Sequence, residues 1–206
     1  MIDIYTKPEL YDAIHQNYSW DKDIITTIAE KTGGPVLELA AGTGRLAQLI
    51  LDLRLDYTGI DTSNEFLNMA IEKYGDRAAF HQNDMSQFDL DQQFNFIFIG
   101  FNSFLHNLTD KDASQCLRSV YDHLTDEGTF FISAFVPDPS FLYREEGRLY
   151  PATSHFNFDG SRCRIMETND FDEESQINSL TWRLERDGEL ESEKYHDSMR
   201  MFYPHM

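Results

Sequence analysis

The sequence predicts an α/β fold: a doubly wound, mostly parallel sheet with helices on both faces, plus an antiparallel β meander near the C-terminus. Three observations carry this. Short apolar runs alternate with helical-period segments through residue 136, the pattern of right-handed crossovers between parallel strands. Residues 94–100 are apolar at nearly every position, as in a strand covered on both faces. Beyond Pro137 the dipeptides Asp159-Gly160 and Asp187-Gly188 appear with alternating apolar positions, which are hairpin signals. At 206 residues the chain reads as one domain with a sizeable core: helices over 1–34, a core over 35–136, and an antiparallel insertion or lid over 148–203.

The elements follow in order. Pro8 suits a first helical turn, and Leu10, Tyr11, Ile14 and Tyr18 stand at helical spacing. A second helix is expected after Ser19 as its cap, carrying Ile24, Ile25 and Ile28 until Gly33-Gly34-Pro35 stops it. The apolar run 36–39 breaks into a small-residue turn, and Leu46, Leu49, Ile50 and Leu53 then mark an amphipathic helix. Gly42 and Gly44 allow a sharp bend and the close approach of a ligand; the helix behind them directs its free N–H groups at that ligand. Residues 57–61 form a second strand, and Thr62-Ser63-Asn64-Glu65 a capping box with Thr62 as the cap. A third strand spans 78–82, the fourth 94–100. Ala113, Cys116, Leu117, Val120, Tyr121 and Leu124 give a long helix, and 129–135 a fifth strand. Glu38–Gly44, Asp61, Asp84 and the segment 100–103 therefore share the carboxyl ends of the strands, where such sheets bind ligands.

The meander reads as about four strands at typical strand lengths. The first hairpin turn sets Phe156 opposite Cys163. Across Asp187-Gly188 no register pairs apolar with apolar on both strands, so a bulge or a different turn is expected. The five carboxylates of 185–193 read as a solvated face.

Composition excludes several function classes. A net charge of -19 opposes binding to nucleic acid or an anionic membrane. Two cysteines, Cys116 and Cys163, offer no disulfide framework. With no N-terminal apolar run and no stretch of membrane-spanning length, a cytoplasmic protein is expected. His15, His81, His123, His155, His196 and His205 show no metal-ligand spacing, so no metal is expected.

The opening turn fits two cofactor chemistries. Residues 42–47 match the loose dinucleotide pattern G-x-G-x-x-A, with Asp61 near the distance for a ribose contact. That supports a nicotinamide-dependent oxidoreductase using NAD or NADP. In a dinucleotide turn, however, the glycines directly follow the strand so that a pyrophosphate sits on the helix. Here Glu38 stands at the strand end, four residues before Gly42. A carboxylate there suits a cofactor that lacks phosphate and carries an ammonium and a sulfonium.

On these residues, 36–47 resemble the first motif of class I S-adenosylmethionine-dependent methyltransferases, a Rossmann-like family. Asp61, the loop Asn83-Asp84-Met85 and residues 94–103 resemble the family's next three stations, in the right order. The resemblance covers about 30–136, with Ala40 where many members have the first glycine of a triplet. It implies S-adenosyl-L-methionine as cofactor. Backbone from Ala40 to Gly44 would line the methionine moiety, with Glu38 acting on its ammonium. Arg45 would meet its carboxylate, or is a solvated arginine at the helix start. Asp61, next to Thr62, would accept from both ribose hydroxyls. Asp84 would accept from the adenine amino group while Met85 packs on the ring, with Phe101 on the fourth-strand loop. Tyr11 and Tyr18 would place aromatic faces on the sulfonium, or pack in the core.

Methyl transfer needs little acid–base help, because the sulfonium is a good leaving group and positioning alone supplies roughly 7–11 kcal/mol. No obligatory catalytic motif is therefore expected. His106, just past the fourth strand, is a candidate to take a proton from an acceptor, or a loop histidine with a structural bond. The acceptor is expected to be a small molecule, neutral or cationic rather than anionic. The family pattern also implies that 201–205 lead into a further helix and two closing strands; the chain stops at Met206, so the fifth strand is expected as a bare edge, covered by the meander or by a second subunit in a homodimer. A shortened, non-catalytic methyltransferase-like binding protein is the remaining alternative.

Overall fold

The computed structural model describes residues 1–203. The elements in chain order are β1 (Ile2–Asp3), α1 (Pro8–His15), α2 (Lys22–Thr32), β2 (Val36–Leu39), α3 (Ala47–Asp52), β3 (Tyr57–Asp61), α4 (Asn64–Tyr74), β4 (Ala79–Gln82), β5 (Phe94–Ile99), α5 (Asp110–His123), β6 (Leu124–Ile132), α6 (Pro139–Leu142), β7 (Tyr150–Pro151), β8 (Phe156–Phe158), β9 (Ser161–Asp172), β10 (Ile177–Arg186), β11 (Glu189–Leu190) and β12 (Tyr195–Arg200). The chain forms two compact units, Tyr18–Phe135 and the combination of Met1–Asn17 with the chain from Val136 onward.

The first unit holds a five-stranded sheet in the order β4-β3-β2-β5-β6, parallel throughout. The chain steps outward from β2 through β3 to β4, then returns to the other side of β2, so the strand order reverses beside β2. Val36, Phe96 and Phe98 pack with Ile25 and Ala29 of α2 and with Ala47 and Ile50 of α3. The alternate residues Leu37, Leu39, Ile97 and Ile99 are equally buried, which places apolar cover on both faces.

Helix ends follow local chemistry, with two departures from expectation. Gly33 ends α2 at φ 72°, its N–H donating to Ala29 O at 2.9 Å. The cap of α2 is Asp21 rather than Ser19, and it makes no side-chain cap bond because its carboxylate is committed to Arg45. The cap of α4 is Ser63 rather than Thr62: Ser63 Oγ accepts from Phe66 N at 3.2 Å. Asp61 accepts from Ser63 N, which holds residues 61–63 in a turn and starts the helix one residue later. The fifth strand also runs earlier than expected, over Leu124–Ile132, with a register irregularity between Phe94 and Phe96. Among the described residues β6 pairs with β5 alone.

The second unit is an antiparallel sheet ordered β1-β12-β10-β9-β7, with β8 on β9 and β11 on β10. Phe156 faces Cys163 across Asp159-Gly160, the register expected. Asp187-Gly188 is a true hairpin turn, pairing Arg186 with Glu189 and Glu185 with Leu190. The next pairing joins Trp182 to Tyr195, so the returning strand carries two more residues than its partner. That bulge explains why no single register matched. Six strands, β7 to β12, replace the four expected, since β7, β8 and β11 span only two or three residues and show no period. β1 adds parallel to β12, in a stretch expected to be helical only. Three of the five carboxylates of 185–193 have side-chain partners on this face: Glu185 pairs with Arg164 at 2.8 Å, Glu191 with Arg186 at 2.7 Å, and Glu193 accepts from Tyr195 at 2.8 Å.

Met201 donates its N–H to Gln176 O at 2.8 Å. Of the segment 201–205 expected to lead into a helix, Pro204 and His205 lie outside the described residues, as does the end at Met206. Among the described residues no helix is long and apolar enough to cross a membrane.

Candidate functional site

The site begins where β2 runs out. Ala40, Gly42 and Gly44 take φ values of 56°, 58° and 72°, three left-handed residues within five. They fold the chain back over the sheet end before α3 begins at Ala47. Ala40 adopts the conformation a glycine would take at no steric cost. α3 has six residues, shorter than the helix the sequence suggested, and turns occupy the residues before it.

The glycines divide their roles. A Cβ on Gly42 would meet only the Phe66 ring, at 3.5 Å, and its N–H donates to Asp61 Oδ2 at 2.8 Å. A Cβ on Gly44 would lie 2.7 Å from Tyr74 Cε2 and 3.2 Å from Phe80 Cζ, and Tyr74 donates its hydroxyl to Gly44 O at 2.7 Å. Gly44 therefore also has a packing role, against Tyr74 and Phe80. Gly44→Ala is expected to cost about 2–3 kcal/mol of stability, combining left-handed strain with overpacking; a urea unfolding midpoint unchanged from wild type would overturn this.

Three carboxylates stand at or just past the ends of adjacent strands. Glu38, 4 % exposed, accepts from the Tyr57 hydroxyl. Burial pushes its carboxyl up to about 8, against the opposing pull of the Tyr57 hydrogen bond and the Arg45 charge. Asp61, at the end of β3, accepts from Gly42 N and, at 2.9 Å, from Ser63 N. Burial raises its carboxyl too, offset by these backbone bonds and by the nearby His106. The Thr62 backbone N–H engages this carboxylate as well. Asn83 N donates to Asp61 O at 3.0 Å, which fixes the β4 loop beside β3. In that loop Asp84 is exposed and accepts from Ser86 N at 2.8 Å, while Asn107 Nδ2 reaches Met85 Sδ at 3.6 Å. Thr62 is exposed.

A group the sequence did not single out lies beside the turn. Asp21, fully buried, takes Arg45 in a two-pronged pair, Nη1 to Oδ1 at 3.1 Å and Nη2 to Oδ2. The guanidinium also stands 5.5 Å from the Tyr18 ring centre and 5.6 Å from that of Phe101, and these rings meet edge to face at 4.1 Å. Burial and Asp21 raise the Tyr18 hydroxyl to about 12. Arg45 is thus neither merely solvated nor electrostatically isolated. Asp21→Asn sets an amide NH2 against the guanidinium and is expected to cost about 2 kcal/mol, the partly exposed Arg45 softening the loss; chemical denaturation measures it, and a change below a few tenths would exclude the pair as a support of the turn.

The β5 loop completes the constellation. Phe101 and Asn102 have φ values of 51° and 66°, and Asn102 Oδ1 accepts from Phe135 N at 2.8 Å. His106 closes a short 3-10 turn after it. The first unit thus brings together Tyr18, Glu38, the turn 40–45, Asp61, Thr62, Asp84, Met85, Phe101 and His106 along its strand ends. Tyr11 belongs to the other unit, on α1, its ring 4.2 Å from His15 and 5.7 Å from Tyr5. Among the described residues no cluster suited to a metal ion occurs.

Comparison with known proteins bears on the family and the fold. A family described as a methyltransferase domain matches residues 36–128. The chain is 31% identical over 155 residues to a putative methyltransferase, YqeM, of Bacillus subtilis (strain 168), covering 68% of this chain and 62% of that protein; it thus spans about three fifths of that relative's length. The CcbJ methyltransferase of Streptomyces caelestis superposes with a TM-score of 0.76 at 20% identity, over 98% of this chain and 83% of that one. CalS10 of Micromonospora echinaspora, an amino pentose methyltransferase solved with S-adenosylmethionine bound, gives 0.75 at 15% identity over 95% and 84%; at such identities the likeness is one of fold. The comparisons favour neither the oxidoreductase nor the non-catalytic alternative. The chain belongs to the class I S-adenosylmethionine-dependent methyltransferase family.

Proposed function

We propose that the protein moves the methyl group of S-adenosylmethionine to a small-molecule acceptor by in-line displacement. One observation carries the reading: Glu38, Asp61 and Asp84 stand at three successive strand ends around a left-handed turn. An acidic rim of this kind fits a cofactor with an ammonium and a sulfonium and opposes one with a pyrophosphate. When bound, the cofactor supplies a methyl group already activated on sulfur.

The chain's own residues do the rest. Asp61 accepts from the ribose hydroxyls. Glu38, whose carboxyl burial raises to about 8, gives up its proton as the ammonium arrives and pairs with it as a carboxylate. Asp84 and Met85 hold the adenine, and the Tyr18–Phe101 ring pair presents aromatic faces near the sulfonium. Arg45, held by Asp21, gives a fixed positive charge for the cofactor carboxylate. In this reading His106 takes the acceptor's proton, and orientation of the two reactants supplies most of the acceleration.

Isothermal titration with S-adenosylhomocysteine tests the reading. Micromolar binding is expected, and no heat at millimolar ligand would sink it.

A further inference from the structure

We propose that Tyr57 is a positioning residue of the cofactor site: its hydroxyl aims the Glu38 carboxyl, and the pair reads the ammonium end of the cofactor. This rests on the methyltransferase reading above and adds to that site a residue that acts through Glu38.

Strand register brings the two side chains together. In the parallel pairing of β2 with β3, Val36 stands beside Tyr57 and Glu38 beside Gly59. Alternate residues of a strand share a face, so Tyr57 and Glu38 lie on one face, on neighbouring strands. Gly59 puts no side chain at the position next to Glu38. A Cβ there would lie 2.8 Å from Ala41 Cβ and 3.0 Å from Phe80 Cδ1, so the position tolerates nothing larger. On its other side Glu38 stands beside Phe98 of β5, which carries no polar group.

Packing fixes the donor. Tyr57 is 3 % exposed and its ring centre lies 5.7 Å from that of Phe80. Its hydroxyl donates to Glu38 Oε2. Among the described residues that is the carboxylate's one hydrogen bond. A buried phenol is satisfied by one partner, whereas a carboxylate accepts at both oxygens and a buried one needs several partners. Oε1 is therefore left for a ligand, and a donor that carries positive charge suits it best.

The surrounding charges leave Tyr57 a decisive share. Arg45, in the turn before α3, favours the ionised form of Glu38, while Asp21 at the start of α2 and Asp61 at the end of β3 oppose it. Arg45 is itself paired with Asp21. Against burial, the Tyr57 hydrogen bond is the larger of the two influences that favour the charged form. The Tyr57 hydroxyl is held well above its ordinary range by burial first, then by Glu38, Tyr74 and Asp61, so it keeps its proton and stays a donor. Without that hydroxyl the carboxyl is unaimed and harder to ionise, just when an ammonium needs it charged.

The test is calorimetric titration of the full chain, wild type against Tyr57→Phe, with two probes. S-adenosylhomocysteine carries the ammonium. Methylthioadenosine keeps the adenine, ribose and thioether and lacks the amino acid end. Phenylalanine keeps the ring against Phe80 and removes one oxygen, so the fold is retained. Tyr57→Phe is expected to weaken S-adenosylhomocysteine at pH 7 by about 10-fold, the worth of one hydrogen bond to a charged group, and to leave methylthioadenosine unchanged. The pH profile is expected to move as well. Affinity for S-adenosylhomocysteine rises with pH as free Glu38 loses its proton; the variant holds that proton to higher pH, so its rise comes later. In a Glu38→Gln background the same substitution is expected to change affinity less than about 2-fold, because Tyr57 acts through that carboxylate. A residue that merely fills the core predicts equal weakening of both probes, an unmoved pH profile and additive losses in the double variant, and any of these overturns the proposal. So does wild-type affinity in Tyr57→Phe. Those results beside normal S-adenosylhomocysteine binding by the wild type reject this role alone. Failure of the wild type to bind S-adenosylhomocysteine rejects the methyltransferase reading on which it rests.

Discussion

Asp61→Ala is expected to weaken S-adenosylhomocysteine binding by about 10²–10⁴-fold, because two charge-assisted bonds to ribose hydroxyls are lost at about 1.5–3 kcal/mol each. The side chain also has a second duty. Its oxygens accept from Gly42 N and Ser63 N at 2.8 and 2.9 Å, tying the left-handed turn after β2 to the start of α4. The same substitution is therefore expected to cost about 1–3 kcal/mol of folding stability. The two losses are measured separately, by calorimetric titration and by urea unfolding. If stability falls while affinity stays near normal, Asp61 is a strut of the turn and not a ribose ligand.

That dual duty illustrates what was legible in the sequence. The parallel core could be read because its signals are local: apolar runs for β2, β3 and β5, and helical period between them. The Phe156–Cys163 register could be read because Asp-Gly fixes a two-residue turn. What escaped depends on partners distant in the chain. Asp21 and Arg45 are 24 residues apart, and nothing around Asp21 marks it as other than a surface residue near a helix start. Gly44 and Tyr74 are 30 apart, so the packing role of that glycine was hidden behind its expected ligand role. The expected Thr62 cap moved one residue on, to Ser63, because Asp61 takes Ser63 N and holds 61–63 in a turn. The bulge between β11 and β12 adds two residues to one strand only, which no single-register count can represent. β1 has two residues, too few for any period.

The stability of the protein is expected to fall as pH rises from about 4.5 towards about 8, by an amount on the order of 4 kcal/mol, and Glu38→Gln is expected to remove that slope. The cause is burial: Glu38 sits at the end of a strand whose four residues are all buried, and its carboxyl is raised from 4.5 to about 8. The folded state then binds a proton through this window that the unfolded chain has released. By linkage, stability is fully present below the unfolded value and is lost as pH climbs to the folded one. Urea unfolding at several pH values, wild type against Glu38→Gln, isolates the contribution of this one group; parallel pH profiles would show that Glu38 is ionised in the folded chain. The same carboxyl ties folding to cofactor binding. A cationic ammonium brought beside Glu38 favours its charged form, so binding S-adenosylhomocysteine at pH 7 is expected to release close to one proton. The binding enthalpy must then vary with the ionisation enthalpy of the buffer in wild type and not in Glu38→Gln. A phosphate-bearing cofactor in the same turn would have the opposite effect, keeping the proton on Glu38, so the direction of proton flow separates the two cofactor chemistries that the Gly42–Gly44 turn alone leaves open.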